Sequence, residues 1–162
     1  MICKDRKVNN RYLEDLKKRV LVFDGAMGTS LQAMALTAEH YGGEQQMGCN
    51  DVLVLSQPEA VVKVHQSFLE AGAQVIETNT FRSNRLTLAE FSIADKTYDI
   101  NFQAAKLAKS VANSFSTAEK PCFVAGAIGP SGKLISSSDS QLNDIQFDEL
   151  ADVFREQVSA LL

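Results

Sequence analysis

One ten-residue stretch, VLVFDGAMGT at residues 20–29, restricts the possible folds of this chain more than any other. Its apolar run is typical of a strand buried on both faces, as in a parallel sheet. Asp24 follows at the carboxyl end of that strand, where sites form in parallel α/β proteins. Gly25 and Gly28 permit the backbone angles of a sharp turn, whose N–H groups could form a cup for an anion. Taken alone, however, an Asp-Gly pair is more often an ordinary turn than a binding site.

The composition is that of an ordinary globular domain. The 162 residues are 45% hydrophobic and 22% charged, which is sufficient for one domain with its own core. The sequence has no apolar run long enough to span a membrane, and its charged N-terminus lacks the apolar core of a signal peptide. We therefore expect a cytoplasmic protein. The three cysteines, Cys3, Cys49 and Cys122, are far apart, which argues against a disulfide framework and against a zinc site among them.

Charge is unevenly distributed along the chain. Residues 1–20 contain seven Lys or Arg and three Asp or Glu, whereas the remainder contains nine and seventeen. The acidic remainder argues against nucleic-acid binding. We therefore interpret residues 1–18 as a basic leader that includes a short amphipathic helix at 11–18.

Two further strands are predicted to end in polar residues or glycine. Residues 74–80 form the second strand, which passes from apolar residues into a polar carboxyl end, Glu77, Asn79 and Thr80. Residues 122–128 form the third strand, which runs into a Gly-rich turn. Because the carboxyl ends of parallel strands meet at one rim, these polar groups are predicted to converge with the aspartate of the first strand.

A helix is predicted between the first two strands. The sequence SQPE at residues 56–59 has the form of a capping box, and Gly72 is a typical residue for the end of the helix. His65 lies in the middle of this helix. We interpret it as a surface or boundary residue and assign it no role.

The remaining intervals are predicted to be loops and helices. Residues 37–55 are expected to form a long functional or mobile loop, and residues 133–146 a polar loop. Helices are predicted near 83–91, at 97–115 and from residue 147. The last helix is predicted to face inward through Leu150, Val153, Phe154, Val158 and Leu161. It has no stop signal, so we expect the sequence to be part of a longer chain.

The first block, at residues 19–29, resembles the opening of the homocysteine S-methyltransferase domain. Four further blocks match in the family's order, at residues 49–59, 71–81, 101–108 and 124–130. The resemblance covers residues 12–162 and is greatest to the cobalamin-dependent methionine synthases.

This resemblance implies a TIM (β/α)₈ barrel, of the α/β class with parallel strands and helical crossovers. Family members bind homocysteine at the carboxyl-end rim and hold a zinc ion that takes the substrate sulfur as thiolate, the nucleophilic form. In the cobalamin-dependent branch the methyl group comes from methylcobalamin, which is recharged from 5-methyltetrahydrofolate. The product is L-methionine.

Site residues carry over from the family to matching positions. Asp24 corresponds to the carboxylate that contacts the homocysteine amino group. The amides of Gly25, Ala26 and Met27 would receive the substrate carboxylate. Three residues of the second strand would shape the pocket: Glu77, Asn79 and Thr80. For Glu77, direct contact and a supporting hydrogen bond to another ligand are equally open.

Parts of the family pattern do not occur in this sequence. The family's three zinc-binding cysteines and a later strand ending in Glu-Thr would lie beyond residue 162, so no metal ligand is assigned. Residues 19–162 are therefore expected to be about the first half of the barrel, since a complete one needs roughly 250 residues. The expected partners are L-homocysteine, the rest of the barrel, and folate and cobalamin domains of the same polypeptide. The fragment alone is expected to be inactive.

Two alternatives stay open at this point. One is a related homocysteine methyltransferase that takes its methyl group from betaine or S-methylmethionine. The other is a short, non-catalytic binding protein, in which two copies could cover each other's exposed strand edges.

Overall fold

A computed structural model describes residues 11–135 and 145–162. Predictions for residues 1–10, including Cys3, and for 136–144 lie outside the described residues. The helices are α1 Arg11–Leu16, α2 Met27–Gln32, α3 Ala38–Tyr41, α4 Leu53–Ser56, α5 Pro58–Glu70, α6 Arg85–Ala89, α7 Thr97–Phe115 and α8 Phe147–Leu161. The strands are β1 Val75–Glu77 and β2 Phe123–Ala125, and short 3₁₀ turns occur at Glu44–Gln46, Asn50–Val52 and Ala94–Lys96.

The three predicted strand segments lie side by side in parallel. β1 pairs with β2, with Ile76 opposite Val124 at the centre of the register. On the other side of β1, the first segment joins through a parallel bridge between Phe23 and Val75. The Asp24 N–H donates to the Val75 carbonyl at 2.9 Å, which continues this pairing to the strand end. The carboxyl ends of all three segments therefore face the same rim.

The expectation that the first segment is buried on both faces is wrong. Leu21 is buried, but its neighbours Val20 and Val22 are 83% and 54% exposed. Side chains alternate between the two faces of a strand, and helices α5 and α7 pack against β1 from one side. Phe23 is in register with Val75, so Val20 and Val22 share the face of Ile76, which packs with residues of α5 and α7. The exposure of Val20 and Val22 shows that these helices do not extend over this part of the first segment.

Residues 37–55 are not the long loop that the sequence predicted. They contain α3, two 3₁₀ turns and most of α4. Tyr41, Cys49 and Leu53 from this region are buried in the larger core cluster. The segments are only three or four residues long, too short to show a helical spacing of apolar residues. The glycines and glutamines between them are typical of a loop.

The predicted capping box before α5 does not form. Gln57 is the N-cap residue and makes no side-chain cap, and the Ser56 hydroxyl donates instead to the Val52 carbonyl, 3.3 Å away. Ser56 is the last residue of α4 and not the residue before α5. Pro58 at the first helical position and Gly72, with φ of 106°, mark the two ends of α5 as predicted.

The inward face of α8 differs from the prediction. Leu150 and Val153 are buried as expected, but Val158 is exposed, and Gln157 and Ala160 take the inward positions. The Gln157 side chain donates to the Thr80 carbonyl at 2.9 Å, so a buried amide anchors α8 to the loop after β1. A prediction that assigns only apolar residues to the inward face of a helix omits Gln157, because glutamine is polar.

Residues 97–115 form α7 with the predicted bounds. Its buried stripe includes Ile100, Ala104 and Val111. In the described part of the chain, no helix is both long enough and apolar enough to cross a membrane.

Candidate substrate-binding site

A cavity of about 340 Å³ opens at the rim where the three strand segments end. Pockets of this size accommodate small ligands. All seven residues predicted from the sequence to bind substrate line it, together with residues that the prediction omitted. The lining consists of Asp24, Gly25, Ala26, Met27, Gly28, Asn50, Asp51, Glu77, Thr78, Asn79, Thr80, Phe81, Arg82 and Ala127.

Asp24 joins two of the strand ends. Its Oδ1 accepts a hydrogen bond from the Glu77 N–H at 2.9 Å, so the carboxylate of the first segment is fastened to the end of β1. The Asp24 side chain is only 5% exposed. Its other oxygen, Oδ2, is left available for a further partner.

The turn after Asp24 presents unpaired backbone donors to the cavity. Within the described residues, the N–H groups of Gly25, Ala26, Met27 and Gly28 donate to no protein acceptor. Successive free N–H groups near the start of a helix attract an anion. These donors begin one residue after a carboxylate, so the site can receive opposite charges side by side.

The left-handed residue of this turn is Ala26, and not either glycine. Ala26 has φ of 47°, whereas Gly25 and Gly28 do not have positive φ. A non-glycine residue in this region is unfavourable by roughly 1–3 kcal/mol and persists only where the surroundings hold it. The expectation that the glycines supply the unusual angles is therefore wrong.

Threonine side chains hold the second and third strand ends together. The Thr78 and Thr80 hydroxyls lie 2.6 Å apart, and Thr80 donates to the Ala127 carbonyl at 2.7 Å. The Ala127 N–H donates back to Thr78 Oγ1 at 2.9 Å. Thr80 is thus occupied by the framework, and its contribution to the site is to position the rim.

Asn79 and Glu77 differ in how far they are engaged. The Asn79 amide donates to the Asn50 carbonyl at 2.7 Å, which ties the second strand end to the 3₁₀ turn at Asn50–Val52. Glu77 is exposed, and its side chain forms no hydrogen bond or ion pair among the described residues. Its carboxylate is free to approach a ligand.

Asp51 is a lining residue that the sequence did not single out as part of the site. It is buried and accepts hydrogen bonds from the Arg82 N–H at 3.0 Å and the Ser83 hydroxyl at 2.7 Å. Burial raises the pKa of this carboxyl, and the hydrogen bonds from Ser83 and Arg82 oppose that shift. Asp51 therefore holds the start of the loop that follows the rim.

Gly129 fixes the third loop against the second. Its N–H donates to the Phe81 carbonyl at 3.0 Å. A Cβ at this position would lie 2.3 Å from the Phe81 carbonyl oxygen and 2.9 Å from its ring. This close approach accounts for glycine here through packing alone.

His65 is a second residue that sequence reasoning missed. It was predicted to be a surface or boundary residue, yet it is fully buried. Its Nδ1 lies 3.9 Å from Asp24 Oδ2. The prediction was wrong because the helix that carries His65 packs directly beneath the end of the first strand segment.

The cysteines of the described region do not fit a zinc site. Cys49 and Cys122 are both buried and free, and burial raises the pKa of Cys49 to about 11. Zinc sites are built from three or four such ligands close together. Across residues 11–135 and 145–162, no group of three His, Cys, Asp or Glu side chains is placed to hold a metal ion.

Comparison with known proteins identifies the family. The family model described as "Homocysteine S-methyltransferase" matches residues 21–162. The chain belongs to the homocysteine S-methyltransferase family.

Solved structures agree with this assignment at the level of the fold. Two are of the homocysteine methyltransferase MmuM from Escherichia coli, in a metallated and an oxidized form. The metallated form has a TM-score of 0.69 and 21% identity over 94% of this chain and 52% of that one. The oxidized form has a TM-score of 0.73 and 21% identity over 94% and 53%.

The chain thus spans about half the length of these homocysteine methyltransferases, and its fold is α/β, about half of a TIM barrel. The predicted fold class is confirmed. The register places Val20 and Val22 on the helix-facing side of the first segment. In a complete TIM barrel the outer ring of helices covers that side of every strand.

Proposed function

We propose that this chain is the N-terminal, homocysteine-binding part of a cobalamin-dependent methionine synthase. In this proposal the 340 Å³ cavity receives the amino-acid end of L-homocysteine. The observation that carries the proposal is the pairing of a buried carboxylate, Asp24, with free backbone donors at the next residues, Gly25 to Met27.

The two ends of an α-amino acid fit this arrangement chemically. The ammonium group is a donor that would pair with Asp24 Oδ2, because Oδ1 already accepts the Glu77 N–H. The carboxylate group would accept from the amides at Gly25, Ala26 and Met27. Charge-assisted hydrogen bonds of this kind are stronger than neutral ones. Glu77 is exposed at the same rim and would add a second negative charge near the ammonium group.

Asn79 and Thr80 contribute to the proposed site by holding neighbouring backbone segments in place. Their side chains are bound to the Asn50 and Ala127 carbonyls. They therefore set the positions of the loops around the ligand. In this assignment Asp24 contacts the ligand directly, and these two residues hold the pocket in shape.

The proposal does not extend to catalysis by the chain alone. Methyl transfer in this family needs the substrate sulfur as a thiolate, and the described residues offer no zinc site for it. Zinc, methylcobalamin and 5-methyltetrahydrofolate are proposed to act with other parts of the complete protein, which we place in the cytoplasm. The sequence blocks at 49–51 and 77–81 resemble the cobalamin-dependent branch more than the betaine- or S-methylmethionine-dependent one, and the choice of cobalamin as methyl source rests on this resemblance.

An NMR titration of the ¹⁵N-labelled chain with reduced L-homocysteine tests the proposal. We expect saturable shifts of the amide signals of Gly25, Ala26, Met27 and Gly28, because their N–H groups would acquire an acceptor. Amide signals on the outer face of α5 serve as an internal control and should not move. The proposal fails if L-homocysteine leaves the signals of the turn unchanged, or shifts those of α5 equally.

A further inference from the structure

We propose that His65 is a positioning residue for the Asp24 carboxylate, with a proton on Nδ1 directed at Asp24 Oδ2. This inference rests on the proposed function, because it concerns how Asp24 is prepared for an ammonium ligand. Buried polar side chains are nearly always hydrogen-bonded. His65 is an exception that needs an explanation.

The buried residues that share the inward face of α5 with His65 are apolar. It lies on the inward face of α5 with Val61, Val64 and Leu69, which are all buried. Neither ring nitrogen has a hydrogen-bond partner among the described residues. An apolar residue of similar size would pack on this face without the cost of desolvating two nitrogens. The polar ring therefore needs a polar partner nearby to offset this cost.

That neighbour is the Asp24 carboxylate. Nδ1 of His65 is 3.9 Å from Asp24 Oδ2, and both side chains are nearly or fully removed from solvent. A lone pair on Nδ1 would face the negative oxygen and repel it, whereas an N–H would attract it. The geometry therefore places a proton on Nδ1.

The distance of 3.9 Å exceeds that of a hydrogen bond, so the attraction acts without direct bonding. The field between buried groups is screened less than at the surface. Glu77 N–H holds Oδ1 on one side, and His65 orients Oδ2 on the other. The carboxylate is thereby fixed with its remaining lone pairs directed at the cavity.

The ¹⁵N spectrum of the histidine rings tests the protonation directly, without ligand. We expect a protonated Nδ1 in His65 whose signal moves when Asp24→Asn removes the facing charge. His40 is the internal control, because its Nδ1 already has a partner in the Thr37 N–H, which donates to it at 3.1 Å. Its signals should not respond to Asp24→Asn. An unprotonated Nδ1 in His65, or one that ignores Asp24→Asn, would overturn the inference.

Two substitutions test the positioning role through ligand affinity. His65→Leu removes the donor, and we expect the affinity for L-homocysteine to fall about tenfold. His65→Asn offers an N–H near the former Nδ1 and should recover most of that loss. A merely structural role predicts no recovery, and equal affinities for the two variants would contradict the proposal.

These experiments separate the two proposals. If the unsubstituted chain fails to bind L-homocysteine, the proposed function is wrong, while the ring spectra still decide the role of His65. If L-homocysteine binds but Nδ1 of His65 carries no proton, only the inference about His65 is wrong. The ring spectra also decide the matter should His65→Leu prevent folding.

Discussion

Replacing Gly129 with alanine is expected to reduce the free energy of unfolding by about 3 kcal/mol, at the upper end of the usual cost of overpacking. The new Cβ would lie 2.3 Å from the Phe81 carbonyl oxygen, a backbone atom that cannot rotate away. Relief requires the third loop to separate from the second, which breaks the hydrogen bond from the Gly129 N–H to Phe81. Urea unfolding followed by circular dichroism measures the effect.

Gly25→Ala is the matched control for this substitution. Gly25 lies in a rim turn as Gly129 does, but a Cβ there meets no atom within 4 Å, and its φ is not positive. We expect its free energy of unfolding to change by no more than about 1 kcal/mol. Equal losses for the two variants would show that the contact between Gly129 and Phe81 does not hold the loops together.

Substitution of Asp24 is expected to have the largest effect on ligand binding. Asp24→Asn keeps an oxygen that can accept the Glu77 N–H but removes the negative charge. Because a hydrogen bond to a charged group contributes about 1.5–3 kcal/mol, the affinity for L-homocysteine should fall roughly ten- to a hundredfold. The NMR titration gives both affinities under identical conditions.

Asp24→Ala separates the binding role of the carboxylate from its structural role. It removes the acceptor as well as the charge, so the Glu77 N–H loses its partner. We expect it to bind as weakly as Asp24→Asn and, in addition, to lower the free energy of unfolding by about 1 kcal/mol. Asp24→Asn with unchanged affinity would exclude Asp24 as the ligand for the ammonium group.

The position of the rim could be predicted from the sequence because strand ends carry a local signal. An apolar run followed by Asp24, and a second followed by Glu77 and Asn79, mark where two buried segments meet solvent. Parallel pairing then brings the segments together at one edge, as the bridge from Phe23 to Val75 shows. Asp24, Glu77, Asn79 and Thr80 follow from this geometry, whereas Gly25, Ala26 and Met27 were assigned from the resemblance to the family.

The supporting contacts could not be predicted in this way, since they join residues that are distant in sequence. Gln157 on α8 donates to Thr80, and His65 on α5 faces Asp24. Each lies at a helical spacing that it shares with buried apolar residues, but its polar side chain is more typical of a solvent-facing position. Only the packing of the helices beneath the rim shows that these residues face inward.

The exposure of Val20 and Val22 was missed for a different reason. A run of Val, Leu and Phe indicates a strand that is buried in the complete fold. The chain spans about half of the related barrels, so the pattern describes a larger structure than these residues form. The apolar side chains of Val20 and Val22 are therefore exposed here because about half of the barrel is present.

The most direct test of the central claim is to compare ligands that lack one end of homocysteine. L-2-aminobutyrate keeps the ammonium and carboxylate groups without the sulfur, and 4-mercaptobutanoate keeps the sulfur and carboxylate without the ammonium group. If this half of the barrel holds the amino-acid end, the NMR titration will show L-2-aminobutyrate binding with an affinity comparable to L-homocysteine, and 4-mercaptobutanoate binding roughly ten- to a hundredfold more weakly. Binding of 4-mercaptobutanoate as tight as that of L-homocysteine, with none for L-2-aminobutyrate, would contradict the account.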